Sequence, residues 1–241
     1  MHKNINVLVS SSPIRGHPST AIIDETLRSI RYHLPDSQIL IMLDGIRPEQ
    51  EHYAERYLGY IKNLVGRVVT FKMENVKLVP FMEFTHQANM AMKTLEMVNT
   101  PLILFVEHDT PLMDRPIDWK MLKEAILSGA TNHIRLHYDE QIHQDHQHMI
   151  LGKLTPHLIK CVQFHNRPYL TNADWFRGLL AANFTENSRT WIEDKVYSPI
   201  SCAPWEDYRL TIYDPEGTGQ NMKRSGDKNG RAGDIKYPPV F

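Results

Sequence analysis

The chain has 241 residues, of which 41% are hydrophobic and 23% charged, and its formal net charge is −1. This composition is ordinary for a soluble globular protein, and the small net charge gives no general attraction to nucleic acid. Only Cys161 and Cys202 occur, so we expect no disulfide framework and a reducing, cytoplasmic compartment. No stretch approaches the ~20 apolar residues of a membrane span, and the N-terminus does not resemble a signal peptide.

The first half of the chain alternates strand and helix patterns. Short apolar runs predict strands at residues 5–10, 39–43, 68–73 and 102–106. Between these runs, apolar residues recur at the spacing of amphipathic helices. The recurring positions are 23, 27, 30 and 34 in the first helix, 53, 57, 61 and 64 in the second, and 88, 91, 95 and 98 in the third.

The second half is less regular. The patterns predict helices at 119–127, 174–182 and 191–200, and strands at 134–138, 161–170 and 209–213. The stretch 218–239 is rich in Gly, Lys, Arg and Asp, which predicts a flexible loop or tail. His143, His146 and His148 raise the possibility of a zinc site. The segment has no cysteine and no helical period, so an exposed polar loop is the favoured interpretation.

Strands that alternate with helices predict an α/β fold with a mostly parallel mixed sheet flanked by helices. We find no internal repeat and no linker, and we expect a single domain over residues 1–241. Right-handed crossovers place the carboxyl ends of parallel strands along one edge of the sheet. The polar residues that end the predicted strands, among them Ser10, Asp44 and Glu107, should therefore gather at that edge.

The run at 102–106 ends in Glu107, His108 and Asp109. Carboxylates at positions i and i+2 point to the same side of an extended chain, which suits a divalent ion shared with substrate phosphates. An ordinary polar turn is the alternative, because Thr110 and Pro111 follow. His108 should point to the opposite side of the strand, where a packed histidine is more usual than a ligand.

Five segments, in this order, resemble the GT-A fold of glycosyltransferases, most closely the inverting, family-2-like enzymes. They are the Ser10-Ser11-Ser12-Pro13 turn, Asp44, Gln87-Ala88-Asn89, Glu107-His108-Asp109, and a later series of Trp175-Phe176-Arg177, Asn183-Phe184 and Ile192-Glu193-Asp194. Two features depart from the family pattern: Glu107 stands where Asp is usual, and Asp44 is single where a pair of acids is more common.

The resemblance implies a single GT-A-type, Rossmann-like domain that moves a sugar from a nucleoside diphosphate sugar, UDP- or GDP-type, to a saccharide or glycoconjugate acceptor. It implies a nucleotide-sugar half at about 1–110 and an acceptor half at about 111–241, which ends in a flexible basic loop. The cofactor would be Mn²⁺ or Mg²⁺. The implied donor-binding residues are Ser10, Ser11, Ser12, Pro13, Asp44, Gln87, Asn89, Glu107, His108, Asp109, Arg224 and Arg231.

The resemblance also implies roles for individual acids. Asp44 would read the nucleobase, Asp109 would bind the metal directly, and Glu107 would contact the ribose or a metal-bound water. No histidine follows His165, so Asp227 is the one late metal ligand that we name. The basic residues of the last stretch, with Arg224 and Arg231 among them, would fold over the diphosphate; a solvated tail is the alternative.

A general base must reach the acceptor hydroxyl. Glu193-Asp194 is the favoured pair, with Asp194 preferred, and Asp207 with Glu206 is the second choice. Acids at a helix start are also common for structural reasons. Arg167, Tyr169 and Trp175 are the predicted acceptor residues, since aromatic faces stack on sugars and arginine gives bidentate hydrogen bonds; ordinary packing is the alternative.

Two other classes remain open. A nucleotidyltransferase would share the sheet and the metal carboxylates, but Arg15-Gly16 is too sparse for its glycine-rich, basic triphosphate loop. The other class is a non-catalytic nucleotide- or glycan-binding domain of the same fold. A Rossmann dehydrogenase is disfavoured, because no Gly-x-Gly-x-x-Gly follows the first strand.

Overall fold

A mixed β-sheet with helices on both faces forms the centre of the molecule. The structure is a computed structural model and describes residues 4–70, 73, 75–136 and 144–216. The strands are β1 (Ile5–Ser11), β2 (Gln38–Leu43), β3 (Val76–Pro80), β4 (Leu102–Glu107), β5 (His133–Leu136), β6 (Ile150–Thr155), β7 (Leu158–Cys161), β8 (Tyr169–Asn172) and β9 (Leu210–Tyr213). Their order across the sheet is β3-β2-β1-β4-β8-β5-β9-β7-β6.

Seven α-helices connect or cover these strands in the described part of the chain. They are α1 (Ala21–His33), α2 (Ala54–Thr70), α3 (Gln87–Leu95), α4 (Trp119–Leu127), α5 (Ala173–Asn183), α6 (Ile192–Ser201) and α7 (Trp205–Tyr208). Two 3₁₀ helices lie at Pro48–Tyr53 and Gln144–Met149. No helix in these described ranges combines the length and the apolar character needed to cross a membrane.

The first four strands of the sheet order, β3 to β4, pair in parallel. Beyond β4 the sheet becomes mixed, because β8 is antiparallel to both β4 and β5, while β5 and β9 are parallel. Strands β7 and β6 complete that side with antiparallel pairs. The predicted α/β class with a mixed sheet is therefore confirmed, and its parallel part is concentrated in the N-terminal half.

Side chains that alternate along the central strands pack into two separate hydrophobic cores, one on each face of the sheet. Val7 and Val9 of β1 face helices α1, α2 and α4, and Leu8 faces the other side. On that second side, Ile103 and Phe105 of β4 pack with α3, α5 and α6. Both faces of β1 and β4 are thus buried, as expected for parallel strands covered by helices on each side.

Two predicted strands are wrong in their extent. Residues 68–70 belong to the end of α2, where Arg67 forms a 2.9 Å ion pair with Asp24 of α1, and the strand that pairs with β2 begins only at Val76. Tertiary contacts outweigh the strand propensity of the valines here. The predicted strand at 161–170 is two strands, β7 and β8, separated by a loop that contains Pro168.

Candidate active site

The carboxyl ends of β1, β2 and β4 meet at one edge of the sheet. Ser10 is the register partner of Glu107, and Ser11 is the partner of Leu43. Beyond the strands, the backbone N–H of Asp44 donates to the Ser11 carbonyl at 2.9 Å, and that of His108 donates to the Ser10 carbonyl at 2.9 Å. The predicted gathering of these strand ends at one edge is therefore confirmed.

The carboxyl group of Glu107, at the end of β4, is influenced by burial and by several neighbouring groups. Its Oε1 accepts a hydrogen bond from Gln87 Nε2 at 2.9 Å. Burial raises the pKa of Glu107 to about 7, and the nearby charges of Asp109 and Glu193 add to the rise, while the Gln87 hydrogen bond and Arg167 oppose it. The neighbouring Asp109 and three groups that are distant in sequence, Gln87, Arg167 and Glu193, thus act on one carboxyl group.

The two acids of the favoured pair have different surroundings. Glu193 is half-buried, and its Oε2 accepts from the backbone N–H of Asn166 at 3.1 Å and lies 3.4 Å from His165 Nδ1. Burial is the largest cause that raises the pKa of Glu193, and Arg135 and Arg167 lower it. Asp194 is exposed. Because the charge of Glu193 also raises the pKa of Glu107, Glu193 lies toward the edge that carries Glu107.

Asp44 holds the loop before α3. Its Oδ1 accepts from the backbone N–H groups of Gly45 at 2.9 Å, Thr85 at 2.8 Å and His86 at 3.2 Å. Burial raises the pKa of Asp44, although these three hydrogen bonds lower it. The carboxylate thus fixes the entry to α3, and its contact with a nucleobase stays a prediction.

Helix α3 carries Gln87 and Asn89, the two polar residues that were predicted to bind the donor. Gln87 contacts Glu107, as described above. Asn89 Nδ2 donates to the carbonyl oxygens of Glu186 and Ser188, each at 3.0 Å. Asn89 therefore fastens the loop that leads into α6 and Glu193, and this is the contact that the structure gives it.

The other residues of the predicted donor turn are partly enclosed. Ser11 is buried, and its Oγ lies 2.9 Å from the Tyr60 hydroxyl. Ser12 is half-buried and Pro13 buried. His108 is buried with Nδ1 3.3 Å from the Ser10 carbonyl, so its ring packs under the edge rather than opening onto it.

Two predicted acceptor residues need correction. Tyr169 is fully buried, and its ring stacks on Phe105 with centroids 5.2 Å apart, so it is a core residue. Trp175 follows the end of β8, where the backbone N–H of Ala173 donates to the Pro101 carbonyl at the start of β4. Because β8 runs antiparallel to β4, Trp175 lies toward the edge opposite Glu107. Arg167 lies before β8 and acts on Glu107.

The second-choice base pair also lies at the opposite edge. Glu206 and Asp207 belong to α7, which ends just before β9. The register of the sheet places Leu210 level with Ile103, near the start of β4. At about 3.3 Å per residue, α7 is far from the carboxyl end of β4. Neither acid can serve as the base beside Glu107.

Several residues near this edge escaped the sequence analysis. Arg135 on β5 is 5% exposed and lowers the pKa of Glu193. Arg47 and Arg189 place their guanidiniums over the Phe84 ring, and Trp191 contacts the His86 ring. Two weak sequence signals pointed to three of them: Arg47 follows the end of a predicted strand, and Arg189 and Trp191 precede the favoured acidic pair. Arg224, Asp227, Arg231 and His143 lie outside the described residues.

The carboxylate oxygens at this edge suit a divalent cation that is shared with a diphosphate. Burial first, and then the negative charges of Asp109 and Glu193, raise the pKa of Glu107, and a bound cation would oppose both effects by stabilising the charged carboxylate. Within the described residues, no three His, Cys, Asp or Glu side chains are arranged to hold a metal by themselves. Because Mg²⁺ is usually bound by one or two carboxylates together with substrate phosphates, Glu107 and Asp109 fit as the protein's contribution.

The chain has the GT-A glycosyltransferase fold, and the fold predicted from the sequence is therefore confirmed. No protein-family model and no curated protein matches the sequence. Solved structures do match, and those compared below are 9–11% identical to this chain, so they show the fold alone.

The mannosyltransferase PcManGT from Pyrobaculum calidifontis, in complex with GDP-Man and Mn²⁺, matches with a TM-score of 0.53 and 11% identity over 88% of this chain and 57% of that one. TarS of S. aureus matches with a TM-score of 0.52 and 11% identity over 87% and 35%. GalNAc-T7 with UDP, GalNAc and Mn²⁺ matches with a TM-score of 0.59 and 9% identity over 88% and 42%. The chain thus spans between about a third and three-fifths of these proteins.

Proposed function

We propose that the chain is a glycosyltransferase that moves a sugar from a nucleoside diphosphate sugar to an acceptor hydroxyl with inversion, using Mn²⁺ or Mg²⁺. The observation that carries the proposal is the convergence of Glu107, Asp109 and Glu193 at the carboxyl edge of a GT-A sheet. The structural neighbours that contain GDP-Man or UDP with Mn²⁺ support a UDP- or GDP-type donor. The acceptor would be a saccharide or a glycoconjugate, and the two cysteines support a cytoplasmic location.

In this proposal Glu193 takes the proton from the acceptor hydroxyl. The acceptor oxygen bonds to the anomeric carbon from the face opposite the diphosphate, and the bond from that carbon to the diphosphate oxygen breaks with its electron pair. The raised pKa of Glu193 makes it a stronger base than an exposed carboxylate. Asn166 and His165 hold its Oε2, which fixes the direction of the carboxylate.

Glu107 and Asp109 would hold the metal, which when bound neutralises the charge on the departing diphosphate. Gln87 orients Glu107 through the 2.9 Å hydrogen bond. The assignment of Glu193 departs from the sequence preference for Asp194, because Glu193 faces Glu107 while Asp194 is exposed.

A thermal-shift screen of UDP-, GDP-, CMP- and dTDP-sugars, with and without Mn²⁺, tests the donor and the metal. A ligand at a hundred times its dissociation constant stabilises the folded state by about 2.7 kcal/mol, which is easily measured. We expect a metal-dependent shift with at least one donor. The absence of any such shift would contradict the proposal. A donor that binds without hydrolysis or transfer would point to the non-catalytic alternative.

Two matched substitutions test the base. Glu193→Gln keeps an oxygen for the Asn166 N–H but removes the base, so we expect kcat for transfer to fall by about 10²–10⁴-fold. Asp194→Asn should change kcat by only a few-fold, since its side chain is exposed. Donor affinity should survive in both variants. If Asp194→Asn is the damaging change and Glu193→Gln is not, Asp194 is the base.

A further inference from the structure

Five side chains form a cluster of arginines and aromatic rings beside the candidate site. The Arg47 guanidinium lies 4.7 Å from the centroid of the Phe84 ring, and the Arg189 guanidinium lies 5.8 Å from the same centroid. The His86 ring meets Phe84 edge-on at 5.6 Å and Trp191 at 5.1 Å. We call these five residues the Phe84 cluster.

The Phe84 cluster carries two positive charges that no acid in the described part of the chain neutralises directly. Among the described residues, neither Arg47 nor Arg189 forms an ion pair. Arg189 Nη1 donates to the carbonyl oxygens of Glu186 and Ser188, which fixes its position without cancelling its charge. Arg47 lowers the pKa of Asp44, but Asp44 Oδ1 already accepts hydrogen bonds from three backbone N–H groups.

His86 contributes a ring but no third charge at neutral pH. Burial, together with the positive charges of Arg47 and Arg189, lowers the pKa of His86 to about 4. Both guanidiniums lie near the His86 ring as well as the Phe84 ring, since both contribute to this lower pKa. Two fixed cations that share one aromatic ring favour an anion bound between or beside them.

The position of the Phe84 cluster points to the acceptor. Arg189 and Trp191 lie in the loop that leads directly into α6, and Glu193 is in the first turn of that helix. Asn89 of α3 fastens this loop at Glu186 and Ser188. Trp191 is 40% exposed, so its ring is available to stack on a sugar. A molecule bound here would lie close to the proposed base.

The donor diphosphate is the less suitable occupant. Its proposed place is at Glu107, the last residue of β4, and at Asp109 just beyond it, whereas Arg47 follows β2 and the strand β1 lies between β2 and β4. Neighbouring strands are about 4.8 Å apart, so the two strand ends are roughly 10 Å apart. The anion that the arginines select is therefore a different group from the diphosphate.

We propose that the Phe84 cluster binds an acidic acceptor saccharide, with Arg47 and Arg189 on its carboxylate or phosphate group and Trp191 against a sugar ring. The proposal rests on the proposed transferase function and names the class of acceptor. It makes Arg47 and Arg189 specificity-determining residues for the acceptor, with no part in holding the metal or the donor.

Two matched pairs of sugars test the proposal. Mannotriose and mannotriose 6-phosphate form one neutral and charged pair, and a carboxyl-reduced hyaluronan tetrasaccharide and the intact tetrasaccharide form the other. Calorimetric titration of the full chain should show that at least one charged sugar binds about tenfold more tightly than its neutral partner, and that added salt weakens the preference. The pair that shows the preference tells phosphate from carboxylate. Equal binding within both pairs, or no binding of any sugar, overturns the proposal.

Substitutions assign the preference to residues. Arg47→Gln and Arg189→Gln should each remove most of it, while Arg56→Gln, an exposed arginine on α2, should leave it unchanged. The affinity for UDP or GDP with Mn²⁺ should be the same in all four proteins. If the Arg47 or Arg189 variant loses nucleotide affinity instead, the cluster belongs to the donor and the proposal is wrong. If the wild-type chain binds no nucleotide, the proposed transferase function fails separately.

Discussion

At the scale of single residues, Gly45 shows how closely two loops approach beside the site. A Cβ at this position would lie 2.1 Å from the backbone carbon of Glu83 and 2.4 Å from the backbone nitrogen of Phe84. The N–H of Gly45 also donates to Asp44 Oδ1 at 2.9 Å. Only a residue without a side chain allows the loop of the Phe84 cluster to reach the end of β2.

Gly45→Ala should therefore destabilise the fold, by about 2–4 kcal/mol, because the backbone of residues 83 and 84 must move. Gly66→Ala is the matched control. Nothing lies within 4 Å of its Cβ position in α2, so the change should stabilise the protein by about 0.5–1 kcal/mol. Urea unfolding of both variants measures the difference. Similar free energies of unfolding for the two would contradict this account of Gly45.

Residue patterns predicted the positions of the acids at the carboxyl edge better than those of the aromatic residues. Glu107 and Glu193 could be placed because each ends or begins a periodic element, and such positions reach the carboxyl edge. Trp175 could not be placed, since its location depends on the direction of β8, which pairs antiparallel with β4. Strand direction follows from long-range pairing and leaves no local pattern. For the same reason, the contact of Arg47 with Phe84 could not be predicted, because it joins two loops that are distant in sequence.

At the scale of elements, α3 links the parts of the candidate site. Asp44 holds the residues at its start, Gln87 contacts Glu107, and Asn89 fastens the 186–188 loop. The apolar side of α3 packs on β1 and β2, so the helix itself is rigidly seated. A change at Asn89 should therefore alter the position of the loop and leave the helix in place.

Asn89→Ala should lower kcat for transfer by about tenfold, since the loop that leads to Glu193 loses both hydrogen bonds. Donor affinity should change little. Asn63→Ala is the matched control, because Asn63 Nδ2 makes one 3.0 Å hydrogen bond to the Pro18 carbonyl on the opposite face of the sheet. Steady-state kinetics of the two variants separates the effects. Equal activity of both would show that the Asn89 contacts do not position Glu193.

Elements with a strong local pattern were predicted correctly, and those decided by distant contacts were not. β1, β2 and β4 lie close to their predicted positions because they are short apolar runs bounded by polar residues. The valines at 68 and 69 suggested a strand, yet they continue α2 up to Thr70. The ion pair between Arg67 and Asp24 joins two helices and could not be read from one segment.

At the scale of the whole molecule, buried histidines set the response to acid. Burial lowers the pKa of His17 to about 4, of His86 to about 4 and of His133 to about 3. The unfolded chain takes up protons at these histidines below about pH 6.5, and the folded chain does not. Stability is therefore lost as the pH falls from 6.5. Glu107 acts in the opposite sense, because the folded state holds its proton up to about pH 7.

His133 is the strongest test of this balance, since it is enclosed by Phe164, Tyr169 and Trp175 and neither ring nitrogen has a described partner. Wild-type stability should fall between pH 7 and pH 5, and His133→Leu should show a fall that is smaller by about 1–2 kcal/mol. His148→Leu removes an exposed histidine and should behave as the wild type does. Comparing each protein with itself at the two pH values cancels any packing change that the substitution makes. If the fall is as large in His133→Leu as in the wild type, His133 accepts a proton in the folded state and is not a source of acid instability.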